Sequence, residues 1–172
     1  MLSKKMVKAL NDQICMEASA AHKYLAMACW CDEQGLEGAS SFFMQHAEEE
    51  RMHMMKIVHY LLEADGSPII PALDQPKLKY KNVQEVIHTA YDSEKKVTAS
   101  IHKLVGLATK ESDPQTYNFL QWYVAEQLEE EALMRKLLDK VKLIGSGERS
   151  LYYIDLEMAQ LHGAEDGNEV AV

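Results

Sequence analysis

The chain reads as all-α: a four-helix bundle with one long crossover between its second and third helices, and a short fifth helix near the C-terminal end. Three observations predict this. Apolar residues recur at intervals of three and four along four long segments. Glycine and proline are rare and cluster between those segments, where they act as breaks. No stretch reads as a pair of strands.

The first helix is expected over 3–33, with Val7, Leu10, Ile14, Glu17, Ala21, Tyr24 and Ala28 on one face. The connection "QGLEG" is short, so the second helix, 37–64, returns antiparallel. Its face carries Phe43, Ala47, Glu50, His53 or Met54, Ile57 and Leu61. The stretch "DGSPIIPALDQPKLKYK" that follows is long enough to reach about 55 Å when extended. A helix of this size is about 40 Å long, so the stretch can run back along the bundle and start the third helix parallel to the second. That helix, 83–110, presents Val83, Val86, Ala90, Glu94, Val97, Ile101 and Leu104. After the short "ESDPQ" comes the fourth, 114–144, with Leu120, Tyr123, Gln127, Glu130, Met134, Leu137 and Val141. A fifth helix over 151–160 follows "GSG". Its Leu151, Ile154, Leu156 and Leu161 call for burial beyond what one bundle supplies. One domain is expected over 1–162, with 163–172 as a disordered tail.

A net charge of −9 argues against nucleic acid as a partner, because phosphate recognition needs a basic face. No apolar run approaches the roughly 18 residues of a membrane span, and "MLSKKMVKAL" lacks a signal-peptide core. A cytoplasmic location is expected. Cys15, Cys29 and Cys31 are too few for a disulfide framework and are expected to pack as small apolar groups.

Each apolar stripe is interrupted near its middle by groups that bind cations. Glu17 and Glu50 lie almost symmetrically about the first turn, Glu94 and Gln127 about the second, so each couple reaches one level of the bundle. Both couples are 33 residues apart, and each second member is followed three residues later by His53 or Glu130. The chain therefore reads as two hairpins, each carrying E-x₃₂-[EQ]-x-x-[HE]. Four buried carboxylates in one core repel, and each charge is expensive to desolvate. Protonation or basic partners would relieve this, yet no basic residue stands on the stripes at this level. Two metal ions bridged by shared carboxylates would neutralise the cluster, and oxygen ligands with one imidazole suit iron or manganese.

With these residues, and with "AEEERMH", "FLQWYVAEQLEEE" and the closing "LYYIDLE", the chain resembles the ferritin family, in particular bacterial non-haem ferritins. The likeness spans essentially the whole chain. It implies a ferritin-like bundle, a ferroxidase that oxidises ferrous iron with dioxygen or hydrogen peroxide, and a homo-oligomeric shell of 24 subunits storing ferric mineral. It also implies a di-iron centre, one iron on Glu17, Glu50 and His53 and the other on Glu50, Glu94 and Glu130, with Gln127 alongside. Tyr24 matches a tyrosine that hydrogen-bonds near such a centre, and Trp122 an aromatic residue placed to donate an electron.

Departures from related patterns sort the subfamily. Bacterioferritins carry E-x-x-H in both halves and a haem-ligating methionine directly after the second-helix glutamate. Here the second half reads "EQLEEEAL" and the methionine position is Arg51, so haem is not expected. Miniature DNA-protecting ferritins build their site between subunits, unlike a full set in one chain. The acids that line animal ferritin pores have no counterpart around Tyr117 and Leu120. The alternative reading, a small-oligomer di-iron oxidase or peroxidase of rubrerythrin type, would bring a C-x-x-C module that is absent.

A third iron site is expected beside the pair. Glu49 and Glu126 directly precede Glu50 and Gln127, on matching flanks of the stripe, and Glu129 lies one turn past Glu126. The resemblance places a third iron there. Of the other histidines, most are expected to face solvent; His46, one turn before Glu50, is the one nearest the centre.

Overall fold

The computed structural model describes residues 2–147 and 149–165. Five helices follow in order: α1 (Lys4–Glu33), α2 (Glu37–Glu63), α3 (Val83–Lys110), α4 (Pro114–Ile144) and α5 (Ser150–Glu165). Among the described residues there is no strand, and no helix is long and apolar enough to cross a membrane.

The helix starts have local causes. Ser3 accepts a hydrogen bond from Met6 N, Asn82 from Glu85 N, and Asp113 from Thr116 N, each satisfying a donor of a first turn. Pro114 follows Asp113 at the first helical position, where its missing N–H is harmless. α2 differs: Leu36 precedes it and offers no capping side chain. Asp155 of α5 supplies one instead, its Oδ1 accepting from Ala39 N at 2.8 Å. The two helices meet closely at Gly38, where an added Cβ would fall 2.2 Å from the Asp155 carbonyl oxygen.

The crossover runs along α1, as its length predicts. Asn11 near the start of α1 donates to Ser67 O and accepts from Ile69 N, whereas Trp30 near its end packs edge-on against Tyr80. The strap thus travels from one end of α1 to the other and delivers Val83 there, so α3 starts antiparallel to α1.

The stripes of α3 and α4 are buried at every expected position. On α1, Met6 and Met27 fill the interior while Val7 and Ala21 are half-buried. On α2 the choice between His53 and Met54 falls on His53. α5 runs to Glu165, past the end read from the sequence; the remainder of the expected tail lies outside the described residues. Ile154 and Met158 of α5 are fully buried against the bundle, while Leu151 and Leu156 stay exposed. Cys31 is buried and Cys29 exposed, on different sides of α1.

The apolar core is split in two. One layer contains Tyr24, Phe43, Ile87, Leu137 and Ile154; the other contains Leu10, Ile14, Ile57, Ile101 and Leu120. Between them, at one level of the bundle, stand the acids.

Candidate metal centre

Glu17 and Glu94 are completely shielded from solvent, and Glu50, His53, Gln127 and Glu130 are buried too. All four long helices contribute. An i,i+3 spacing places Glu50 and His53 on one face of α2, with His53 Nδ1 3.5 Å from Glu50 Oε2. Glu17, from α1, completes a trio whose ligand atoms lie within 4.8 Å of one another. The backbone carbonyl of His53 accepts from Tyr123 OH at 2.7 Å, which ties α2 to α4 at this level.

The second half is arranged differently. Gln127 Nε2 donates to Glu94 Oε2 at 3.1 Å, and the Tyr24 hydroxyl donates to Glu94 Oε1. Glu130 turns toward α2 and joins His46 and Glu49 in a second group with ligand atoms within 4.8 Å. His46 Nδ1 stands 2.6 Å from Glu49 Oε2.

No lysine or arginine forms an ion pair with Glu17, Glu50, Glu94 or Glu130 among the described residues. The acids therefore resist ionisation. Burial, then the charge of Glu50, pushes the Glu17 carboxyl well up; burial and the charge of Glu94 do the same to Glu50. Burial raises Glu94 against the opposing bond from Tyr24, and raises Glu130 to about 7. Burial also raises Glu126. At Glu49 burial pushes upward, but the bond and charge of His46 win and hold the carboxyl below its ordinary range.

Cations fit this donor set. Glu17 Oε2 and Glu50 Oε2 are buried and accept no hydrogen bond from an N–H or hydroxyl group among the described residues, which leaves only the contact between the two carboxyl groups. Such oxygens are expensive to leave bare, and a bound cation would satisfy both while relieving the mutual repulsion. Six expected residues, Glu17, Glu50, His53, Glu94, Gln127 and Glu130, meet at one level, with Tyr24 bonded to Glu94. Of the expected outer trio, Glu49 and Glu126 are half-buried and Glu129 is exposed. Glu126 feels the negative charges of both other members.

Sequence reasoning underrated His46, which is buried between the Phe42 and Tyr24 rings and the outer acids. It missed Gln13, which is fully buried and donates to Glu17 Oε1. The only signal was spacing: Gln13 is four residues before Glu17, His46 four before Glu50. A groove of about 780 Å³ between α2 and α4 touches Glu49, His53, Trp122 and Glu126, and so connects the centre with the surface. Trp122 lies 5.3 Å from the His53 ring, with Lys56 over its outer face.

A family model described as the ferritin-like domain matches residues 7–144. The chain belongs to the ferritin family. A probable bacterial non-heme ferritin-like protein of Haemophilus influenzae is 44% identical over 161 residues, 94% of this chain and 98% of that one. A bacterial non-heme ferritin of Campylobacter jejuni is 45% identical over 155 residues, 90% of this chain and 93% of the relative. Among solved structures, an open-pore ferritin from the archaeon Archaeoglobus fulgidus superimposes with a TM-score of 0.89 at 41% identity. It covers 92% of this chain and 96% of its own.

Proposed function

We propose that this ferritin stores iron, taking ferrous ions as substrate and oxidising them at the centre formed by Glu17, Glu50, His53, Glu94 and Glu130. One observation carries the reading: four buried carboxylates and one imidazole, from four helices, lie at one level of the bundle with no Lys or Arg ion pair among the described residues, and Glu17, Glu50 and His53 converge with two carboxylate oxygens that no N–H or hydroxyl reaches. Family membership directs it toward iron.

Each residue has a task. Glu17, Glu50 and His53 hold one ferrous ion. Glu50 shares its carboxylate with the second ion, which Glu94 and Glu130 complete, so the two ions stand close enough to deliver one electron each to a common oxidant. Carboxylate oxygens prefer the ferric state and so favour that transfer. At rest the buried acids retain protons; cation binding displaces them, as metal ligands must be deprotonated. Tyr24 and Gln127 orient Glu94, and Tyr123 fixes the backbone of His53. A third, outer site forms around Glu49 with Glu126 and Glu129, where Glu130 and His46 also stand close to Glu49. The wetter surroundings make it the weaker site, a step on the way out through the α2–α4 groove.

The ferric product leaves toward the interior of a closed shell. Twenty-four copies of a 19.5 kDa chain give a particle of about 470 kDa. Ferrous iron added in air to the purified protein should be oxidised faster than in buffer and should co-elute with such a particle. A small oligomer that oxidises iron without retaining it would point to an oxidase. Oxidation no faster than in buffer would remove the ferroxidase reading altogether.

A further inference from the structure

Glu17 is held by side chains that lead out of the centre in a single direction. The Ser100 hydroxyl, on α3, donates to Gln13 Oε1 at 2.6 Å, and Gln13 Nε2 donates to Glu17 Oε1 at 2.8 Å. Gln13 is fully buried, one turn before Glu17 on α1. A carboxylate that holds a metal ion is ionised and only accepts, so in that state the amide nitrogen faces Glu17 and the amide carbonyl is left for Ser100. The remaining carboxylate oxygen, Glu17 Oε2, is buried and accepts no hydrogen bond from an N–H or hydroxyl group among the described residues.

We propose that Gln13 and Ser100 are positioning residues for the metal centre, pinning Glu17 Oε1 so that Oε2 stays directed at the ion shared with Glu50 and His53. The proposal rests on reading those three residues as metal ligands. As an arriving cation displaces their protons, Glu17 and Glu50 become charged side by side, and the glutamate side chain has rotatable bonds by which to swing away. A bond from its own helix, itself braced from α3, holds Glu17 in place before metal arrives. Less ordering is then needed on binding. The second half has no such brace at the matching position. Ala90 stands four residues before Glu94, and Glu94 is held instead by Tyr24 and Gln127.

Cobalt(II) titrated into the metal-free protein, followed by calorimetry and by the visible absorption of the bound ion, tests this. Gln13→Met keeps the volume and removes the donor; it should weaken the tightest site about 10- to 100-fold and alter the absorption band. Ser100→Ala should weaken it by a smaller factor, on the order of 5-fold, through loss of one neutral hydrogen bond. Ser100→Thr keeps the hydroxyl and should bind as the unaltered protein does. Ser100 is half-buried, so the Ala and Thr variants decide the matter even if Gln13→Met does not fold. Unchanged affinity and band in Ser100→Ala and in a folded Gln13→Met would overturn the positioning role and leave the metal-centre reading standing. No cobalt binding by the unaltered protein, or undiminished binding by Glu17→Ala, would overturn both.

Discussion

The two hairpins carry Glu17 with Glu50 and Glu94 with Gln127 at the same 33-residue spacing, yet the halves are not chemically equal. In the α1–α2 half, Glu17, Glu50 and His53 converge with two carboxylate oxygens that no N–H or hydroxyl group reaches among the described residues. In the α3–α4 half both oxygens of Glu94 are already occupied, by Tyr24 and Gln127, and Glu130 faces His46 and Glu49 from the other hairpin. Helical periodicity sets the level at which a side chain enters the core. The donors around it then decide whether it waits open or closed. On the proposed reading, the first half is preorganised for a cation, whereas the second would exchange existing bonds for one.

The largest effect should come from Glu50, the residue proposed to serve both ions. Glu50→Ala should slow rapid ferrous oxidation by more than about 100-fold, beyond what loss of a supporting contact does, while the bundle still folds. Stopped-flow absorbance in air, with circular dichroism on the same sample, reads both. Undiminished rates in a folded variant would mean that the bare oxygens of the first half are not the metal site.

Zinc should stabilise the metal-free protein by about 2.7 kcal/mol at a hundredfold excess over its dissociation constant. For a chain of this size that is a rise in melting temperature of roughly 5–10 °C. The rise should be greater near pH 7.5 than near pH 5. Glu17, Glu50, Glu94 and Glu130 all sit above their ordinary value of 4.5, Glu130 at about 7. As pH climbs from the unfolded value toward the folded ones, the folded chain binds more protons than the unfolded. The metal-free protein therefore loses stability over that interval. Melting curves at the two pH values check the sign; a metal-free protein that grows more stable from pH 5 to pH 7.5 would contradict it.

Gln127→Glu would give the second half the pair of glutamates, 33 residues apart, that the first half carries. It exchanges a donor to Glu94 for another buried acid, so the metal-free protein should lose about 1–2 kcal/mol, recovered when zinc binds. An unchanged melting temperature would show that the second half tolerates carboxylates as freely as the first. The smallest effect belongs to Tyr24→Phe. Losing one of the two bonds on Glu94 should change binding of the second ion by about 5-fold and leave the first untouched, as an anaerobic titration would reveal.

Much of this was legible in the sequence because it depends on period. The stripe positions of α3 and α4 are buried as their spacing implies, Glu94, Gln127 and Glu130 among them. The limits of α3 and α4 read from the sequence agree with the structure, where Asn82, Asp113 and Pro114 set the starts by local chemistry. His46 and Gln13 were less legible, since a polar residue one turn from a stripe looks the same in sequence whether it meets solvent or a neighbouring helix. His46 is placed by the Phe42 and Tyr24 rings, and Gln13 by Ser100 across the bundle. The cap on α2 was invisible for a related reason: its acceptor belongs to α5.

That cap bears on how the molecule is made. Asp155 lies 116 residues beyond the Ala39 amide it satisfies. Helix N-termini with unmet donors fray, so α2, which carries Glu50 and His53, stays loose at its start while the chain is on the ribosome. Only when synthesis has passed Asp155 can α5 fold back against Gly38 and close that end. A prematurely terminated polypeptide can contain all the proposed ligands yet lack this fastening. A chain cut before Asp155 should therefore exchange the amide protons at the start of α2 faster than one that carries α5.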